Sequence, residues 1–232
     1  MIPKQLHFTY KSDDLPRIYE ENLSRWQSLC PGWELHYYSN QKVLKFFRDF
    51  MPEYLSDIQK VKQGVVLADL FRYGVLYIHG GMYNDIDTVP LRALPENWLY
   101  RDVVIGHEYQ PSKFECLSIP SYTKDILCQW SFLAKPGTSL FKEAIDVGIE
   151  NLRERNFKVA NTVDVLKVSG PIHFTNVAKK HIKNSNTLVL DMGVFAPKYL
   201  KKTDLSQTVV FHQYHGNSGW KLELSCPHVK LI

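Results

Sequence analysis

Residues 68–91 read ADLFRYGVLYIHGGMYNDIDTVPL. The first half is an apolar run, with Leu70, Phe71, Val75 and Leu76, into which Asp69 and Arg72 are set. Gly80-Gly81 closes it, as a helix requires where the chain leaves through a left-handed residue. The spacing therefore predicts a helix over 61–79 and a short strand over 82–86. Outward from this unit the same alternation continues. Upstream, Leu6, Phe8 and Tyr10 alternate as a first strand. Asp13-Asp14-Leu15-Pro16 supplies acidic caps for a helix bearing Ile18, Asn22, Trp26 and Leu29, and Pro31-Gly32 stops it. Trp33, Leu35 and Tyr37 form a second strand, and Ser39-Asn40 caps a helix with Val43, Phe46, Phe47 and Phe50. Downstream, strands are expected over 103–106, 128–134, 187–190 and 208–211. Ser139 is expected to cap an amphipathic helix carrying Phe141, Ala144, Ile145, Gly148, Ile149 and Leu152, and Gly170-Pro171 to open another toward Ile182. Strands alternating with helices throughout imply one α/β domain over 1–232 with a mostly parallel central sheet.

The composition narrows the class. The 232 residues carry 28 Lys+Arg against 24 Asp+Glu, a net +4, with 44% hydrophobic and 13% aromatic residues. A disordered chain has fewer aromatics, and the unperiodic Gly and Pro exclude collagen and low-complexity architectures. The basic residues are dispersed, which argues against nucleic acid. Lys179-Lys180 with Lys183, and Lys198 with Lys201-Lys202, read first as solvated faces, and otherwise as a contact with something anionic, a lipid headgroup at a membrane surface or a phosphorylated substrate. Cys30, Cys116, Cys128 and Cys226 show no CxxC pair and no secreted disulfide pattern. MIPKQLHFTY lacks the apolar segment of a signal peptide. The expected location is cytoplasmic, with any membrane contact at the inner face.

Asp85 and Asp87 stand two apart at a predicted strand end, which sends both carboxylates to one side, about 6–7 Å apart. Two hard oxygen ligands suit Mn²⁺ or Mg²⁺ and, through it, a diphosphate. A D-x-D pair alone is often only a solvated acidic loop, so its context matters. Asp69 and Arg72, three apart, share a helix face. As a simple ion pair they would contribute a few tenths of a kcal/mol, roughly. Their helix is otherwise apolar, and buried pairs seldom add stability, so a functional site is the more economical reading.

The run ADLFRYGVLYIHGGMYNDIDTVPL resembles the signature of glycosyltransferase family 32, which includes capsular-polysaccharide transferases and fungal Golgi mannosyltransferases and is related to the glucosylating clostridial toxins. Ile2-Pro3-Lys4-Gln5-Leu6-His7 is similar to the opening I-P-K-x-I-H strand of that family, and Ser169-Gly170-Pro171 to its T-G-P. His212, Ser218 and Trp220 resemble its closing H…S-W segment. The resemblance implies a GT-A (Rossmann-like) fold and retaining transfer of a hexose from a nucleoside-diphosphate sugar, UDP-linked, to a glycan or polysaccharide/lipid-linked acceptor, with Mn²⁺ or Mg²⁺. It implies Asp87 as direct metal ligand, Asp85 on ribose, sugar or metal-bound water, and Asp69 and Arg72 on the donor sugar and its phosphate side. Phe8, Tyr10, Asn84, His215, Ser218 and Trp220 are the further expected donor contacts. Tyr10 stands where the family commonly carries Trp, and Trp130 near where relatives often carry Asn.

His212 follows the apolar Val209-Val210-Phe211, a place where a histidine is most often an ordinary core or edge residue. A D-x-D cation needs a further protein ligand, and neutral imidazole serves. His212 is the expected ligand, His215 the alternative, and Ser218 is expected near the diphosphate. Two other readings compete. Asp85-Ile86-Asp87-Thr88 fits the D-x-D-x-T loop of haloacid-dehalogenase-type phosphatases, although it follows Gly-Gly well into the chain and no acidic pair lies downstream. A non-catalytic sugar-binding domain is the other. Most of the aromatics are expected in the core. Tyr109, Trp130 and Trp220, near loops, are candidates to stack on sugar or base, although any single one is more often structural. Cys116 and Cys128 read as small buried hydrophobes.

Overall fold

A computed structural model describes residues 1–109, 126–195 and 205–215. Its elements run β1 (Gln5–Thr9), α1 (Arg17–Leu29), β2 (Glu34–Tyr38), α2 (Asn40–Phe50), α3 (Leu55–Ile58), α4 (Gly64–Ile78), β3 (Gly81–Asp85), β4 (Thr88–Pro90), β5 (Val103–Tyr109), β6 (Ile126–Ala134), α5 (Ser139–Glu154), α6 (Thr162–Val168), α7 (Pro171–His181), β7 (Thr187–Leu190), α8 (Met192–Phe195) and β8 (Val210–His212). Six strands form one sheet in the order β2-β1-β3-β6-β5-β7, and β4 pairs with β8 in a second, two-stranded sheet. Parallel pairing joins β1 to β2 and β3, and β5 to β7. Among the described strands of the six-stranded sheet only β6 runs against its neighbours, so the expected mostly parallel α/β sheet is present with one reversed strand.

The sheet is buried on both faces, which is why strict alternation fails in β1: Leu6, His7 and Phe8 are all buried. One face packs under α2, α4, α5 and α7 through Phe47, Phe71, Phe132, Phe141 and Phe174. The other packs Leu6, Phe8, Met82 and Leu133 against Trp26 of α1 and Trp98. Removing the fully buried Trp26 ring would cost about 3–5 kcal/mol.

Helix termini depart from the sequence expectations in informative ways. Asp13 does not cap α1; it pairs with Lys42 at 2.9 Å, and Pro16 takes the cap position. Ile18 and Leu29 are exposed, leaving Asn22 and Trp26 as the buried stripe of α1. Ser139 is the first residue of α5 rather than its cap, which is Thr138. Ser39 caps α2 as expected, accepting from the Lys42 amide. α4 starts at Gly64 and not at 61. Its exit runs through Gly80 (φ 67°) and Gly81 (φ 90°), where a Cβ on Gly81 would meet the Gln5 carbonyl oxygen at 2.6 Å. Those glycines let the helix turn straight into a strand laid against β1. Among the described residues no helix is long and apolar enough to cross a membrane.

Candidate active site

The site forms where β3 ends. Asp85 is the last strand residue, and Ile86-Asp87 make a two-residue turn into β4. Thr88 Oγ1 closes the turn by donating to the Asp85 carbonyl at 2.7 Å. From α1, Asn22 donates to the Ile86 carbonyl (3.2 Å) and Trp26 Nε1 to the Thr88 carbonyl (3.3 Å). The buried face of α1 therefore pins the turn. The strand geometry expected of the pair applies to Asp85 alone, and the turn brings the carboxylates nearer than an extended chain would.

The second sheet delivers the imidazole. Thr88 is in register with His212, whose Nε2 lies 3.0 Å from Asp87 Oδ1 and 3.9 Å from Asp85 Oδ2. Beyond β8 the chain wraps Asp87: the Gln213 amide donates to its carbonyl at 2.9 Å, and the His215 amide to Oδ2 at 2.8 Å. Gln213 is itself held by Asn22 at 2.8 Å. The wrap passes through Tyr214 in the left-handed region (φ 56°), a conformation that costs a non-glycine residue about 1 kcal/mol. Of the two candidate histidines, His212 thus presents its ring to the carboxylates and His215 its backbone amide. Burial pushes the Asp87 carboxyl up. The hydrogen bond and charge of His212, with the His215 amide, outweigh that and hold it below the ordinary carboxylate range.

Asp85, Asp87 and His212 each offer a ligand atom, and these atoms lie within 4.8 Å of one another. Two carboxylate oxygens and one imidazole nitrogen fit a hard-to-borderline divalent cation such as Mn²⁺ or Mg²⁺.

Behind this trio is a buried charge network. Arg72 Nη2 contacts Asp69 Oδ1 at 3.2 Å and Asp85 Oδ1 at 3.1 Å, and Nη1 donates to the Gln129 carbonyl at 2.9 Å. Its guanidinium lies over the Tyr83 ring, 4.8 Å from the centroid, and Tyr83 donates its hydroxyl to Asp85 at 3.0 Å. Burial works against the Arg72 charge, but Asp85, Tyr83 and Asp69 more than restore it and raise its pKa. Asp69 is 1% exposed. It accepts from Gln129 Nε2 at 2.6 Å and Ser169 Oγ at 2.8 Å. Burial raises the Asp69 pKa against the pull of Arg72, Ser169 and Gln129. Every group touching it is a donor, so it sits as a carboxylate. Tyr73 completes the network, with its hydroxyl 3.0 Å from Gln129 Oε1 and 2.6 Å from the Ser169 carbonyl.

Of the residues singled out in the sequence, Asp69, Arg72, Asp85, Asp87 and His212 are brought together. Phe8 is not: it is fully buried and packs edge-on to Trp26 at 5.8 Å, so its ring belongs to the core rather than to a donor surface. Asn84 is also fully buried, its Oδ1 accepting from Ser131 at 2.8 Å. Tyr10 lies at the rim, 5.3 Å from Tyr19, which in turn is 5.9 Å from the His215 ring. Ser218 and Trp220 lie outside the described residues, as do Cys116 and Cys226. Trp130 does not project from a loop; it is buried and stacked on His212. Sequence reasoning missed Tyr19, Gln129 and Tyr214. Only Tyr19 carried a signal, as a helix residue on the side nearest the strand ends.

The region from 16 to 108, from the start of α1 into β5, matches the family described as "Glycosyltransferase sugar-binding region containing DXD motif". Across 99% of its length the chain is 24% identical to "Putative glycosyltransferase HOC1" of Saccharomyces cerevisiae, covering 62% of that protein. It is also 24% identical to an initiation-specific alpha-1,6-mannosyltransferase of Candida albicans, covering 79% of this chain and 54% of that one. The chain thus spans little more than half the length of these curated relatives. Among solved structures, the PaToxG glycosyltransferase superposes with a TM-score of 0.54 at 17% identity, covering 78% of this chain and 70% of that one. That likeness is one of fold, and the fold is GT-A. What this chain shares with known proteins is therefore, over residues 16–108, a likeness to the DXD-containing sugar-binding region of glycosyltransferases.

Proposed function

We propose that this chain transfers a hexose, of the mannosyl class, from a nucleoside-diphosphate sugar to a hydroxyl of a glycan or lipid-linked saccharide, with retention at the anomeric carbon and with Mn²⁺ or Mg²⁺. One observation carries the reading. Asp85, Asp87 and His212 converge at the carboxyl ends of the parallel strands, and Arg72 ties Asp85 to Asp69 directly behind them. The mannosyl class follows the Candida albicans relative.

The residues divide the work. Asp87, His212 and Asp85 would hold the cation, which would supply positive charge opposite the charge growing on the departing diphosphate. Arg72 adds a fixed positive group on the sugar side, in a buried setting where such charge is most effective. Asp69 has both oxygens engaged by Arg72, Gln129 and Ser169, so it keeps the guanidinium in place and is not poised as a covalent nucleophile. That favours a front-face departure and attack through an oxocarbenium-like state. Tyr10 and Tyr19 form an aromatic rim suited to a base or sugar face.

The test is a panel of GDP-mannose, UDP-glucose and UDP-galactose with Mn²⁺, scored for hydrolysis and transfer. Consumption of GDP-mannose, with release of GDP and an α-linked product by NMR, is expected. An inverted product refutes the retaining step, and release of phosphate from simple phosphoesters with no sugar turnover would favour the phosphatase reading of Asp85-Ile86-Asp87-Thr88.

A further inference from the structure

A metal-ligating imidazole is usually oriented by a hydrogen bond from its second nitrogen. His212 lacks one: its Nδ1 is buried, with no hydrogen-bond partner among the described residues. Two aromatic rings take that place. Trp130 stacks face to face on the imidazole, with ring centroids 4.7 Å apart and planes 10° from parallel. Tyr214 meets it edge-on from another side, at 4.1 Å and 72°.

Both rings are there through local departures from regular structure. Ile105 of β5 pairs with Phe132 of β6, but His107 pairs with Leu127, so two steps along β5 (105 to 107) span five along β6 (132 to 127). The surplus residues form a bulge. A regular pleat would send residues 129 and 131 to one face. Here Gln129 goes to Asp69 on one side, while Ser131 meets Asn84 and Trp130 meets His212 on the other. Bulges often re-aim side chains beside active sites. Tyr214, for its part, keeps its ring on His212 at the cost of a left-handed backbone.

We propose that Trp130 and Tyr214 are positioning residues that fix the His212 ring so that Nε2 faces the carboxylates, substituting packing for the usual hydrogen bond. This rests on the reading of Asp85, Asp87 and His212 as a cation site. With the stack or the edge contact removed, the imidazole can rotate and the site loses its third ligand geometry without losing any ligand.

Mn²⁺ binding to the full chain, followed by electron paramagnetic resonance, tests this without any turnover. H212A serves as the reference for loss of the ligand. W130L and Y214N should each weaken Mn²⁺ by about ten-fold, the lower end of the losses seen when groups orienting a ligand are removed. W130F, which keeps an aromatic face, should restore binding to within about two-fold of the unaltered chain. Y214N leaves a residue that accepts the left-handed backbone, so its Tm should stay within about 2 °C. Loss of Mn²⁺ affinity at constant Tm separates positioning from mere packing. If W130L does not fold, Y214N and W130F decide the matter. Weakening in H212A but not in Y214N, or W130F binding as poorly as H212A, overturns the positioning role and leaves the cation site standing. No Mn²⁺ binding by the unaltered chain overturns the cation site, and the proposal with it.

Discussion

Arg72 and Asp85 meet at 3.1 Å, a contact that joins the middle of α4 to the last residue of β3. It makes the two D-x-D carboxylates unequal. Asp85 already has a guanidinium, whereas Asp87 is met by an imidazole and a backbone amide. A cation arriving at the site therefore finds its strongest unmet charge on Asp87.

The burial of that guanidinium fixes the outcome of removing it. R72A leaves Asp69 with a buried charge and no cation beside it, and should destabilise the fold by about 3–5 kcal/mol. R72K keeps the charge, but a single ammonium cannot span Asp69 and Asp85 as the fork does. It should be milder in urea denaturation and still reduce donor turnover by at least about 100-fold. Equal stability of R72A and the unaltered chain would contradict the network described.

Asp87 and Asp69 should fail in different ways. D87N keeps the shape but removes the charge facing His212, so Mn²⁺-dependent nucleotide affinity should be largely lost, with metal and nucleotide no longer strengthening each other. D69N should spare Mn²⁺ binding and damage transfer, because Asp69 touches Arg72, Gln129 and Ser169 and not the cation trio. Calorimetry of nucleotide binding with and without Mn²⁺ distinguishes the two. Equal nucleotide affinity in both conditions for the unaltered chain would remove the cation from the mechanism.

A pH dependence follows from His7. It is buried in β1, 2.9 Å from the Gly80 carbonyl and stacked on His36 at 5.2 Å. Burial, with the neighbouring His36 and His79, lowers its pKa from 6.5 to about 3, against the pull of the Gly80 carbonyl. The folded state refuses a proton that the unfolded state accepts, so this stability is complete above pH 6.5 and drains away as the pH falls toward 3. The slope is about 1 kcal/mol per pH unit. Urea denaturation at pH 7.5 and 5.5 should show the drop, and H7Q, whose amide can still meet the Gly80 carbonyl, should flatten it. Parallel profiles for the two chains would remove His7 as the cause.

The α4-to-β3 junction predicts a fold defect rather than a site defect. G81A forces a Cβ to within 2.6 Å of the Gln5 carbonyl oxygen in a backbone conformation that L residues avoid. It should cost at least about 2 kcal/mol in urea denaturation. Gly32, also at positive φ but with open space around it, should lose less on the same substitution because only the backbone term applies.

Much of this was legible in the sequence, for reasons that differ by residue. Gly80-Gly81 announced the helix-to-strand junction because almost nothing else tolerates that backbone. Asp69 and Arg72 were conspicuous because charge inside an apolar helix demands a partner. The chain order could not show that β6 runs against its neighbours, since direction within a sheet depends on crossovers and not on periodicity. Nor could it show β4: three residues are too few to establish a period. Phe8 misled because both faces of β1 are covered, so its alternation did not mark an open side. Trp130 escaped for a related reason. The bulge in β6 overrides the pleat, and no rule of alternation predicts where a tryptophan displaced by a bulge will point.

The pairing of β4 with β8 also has a temporal side. The strands of the six-stranded sheet are all present in a nascent chain once Leu190 has emerged, whereas His212 is made more than twenty residues later. Thr88 must wait for that segment before its register with His212 can form. The carboxylates are thus synthesised early and their imidazole late, so a nascent chain that has not reached β8 lacks the third member of the trio. The last described strand in the chain is the one that completes the trio.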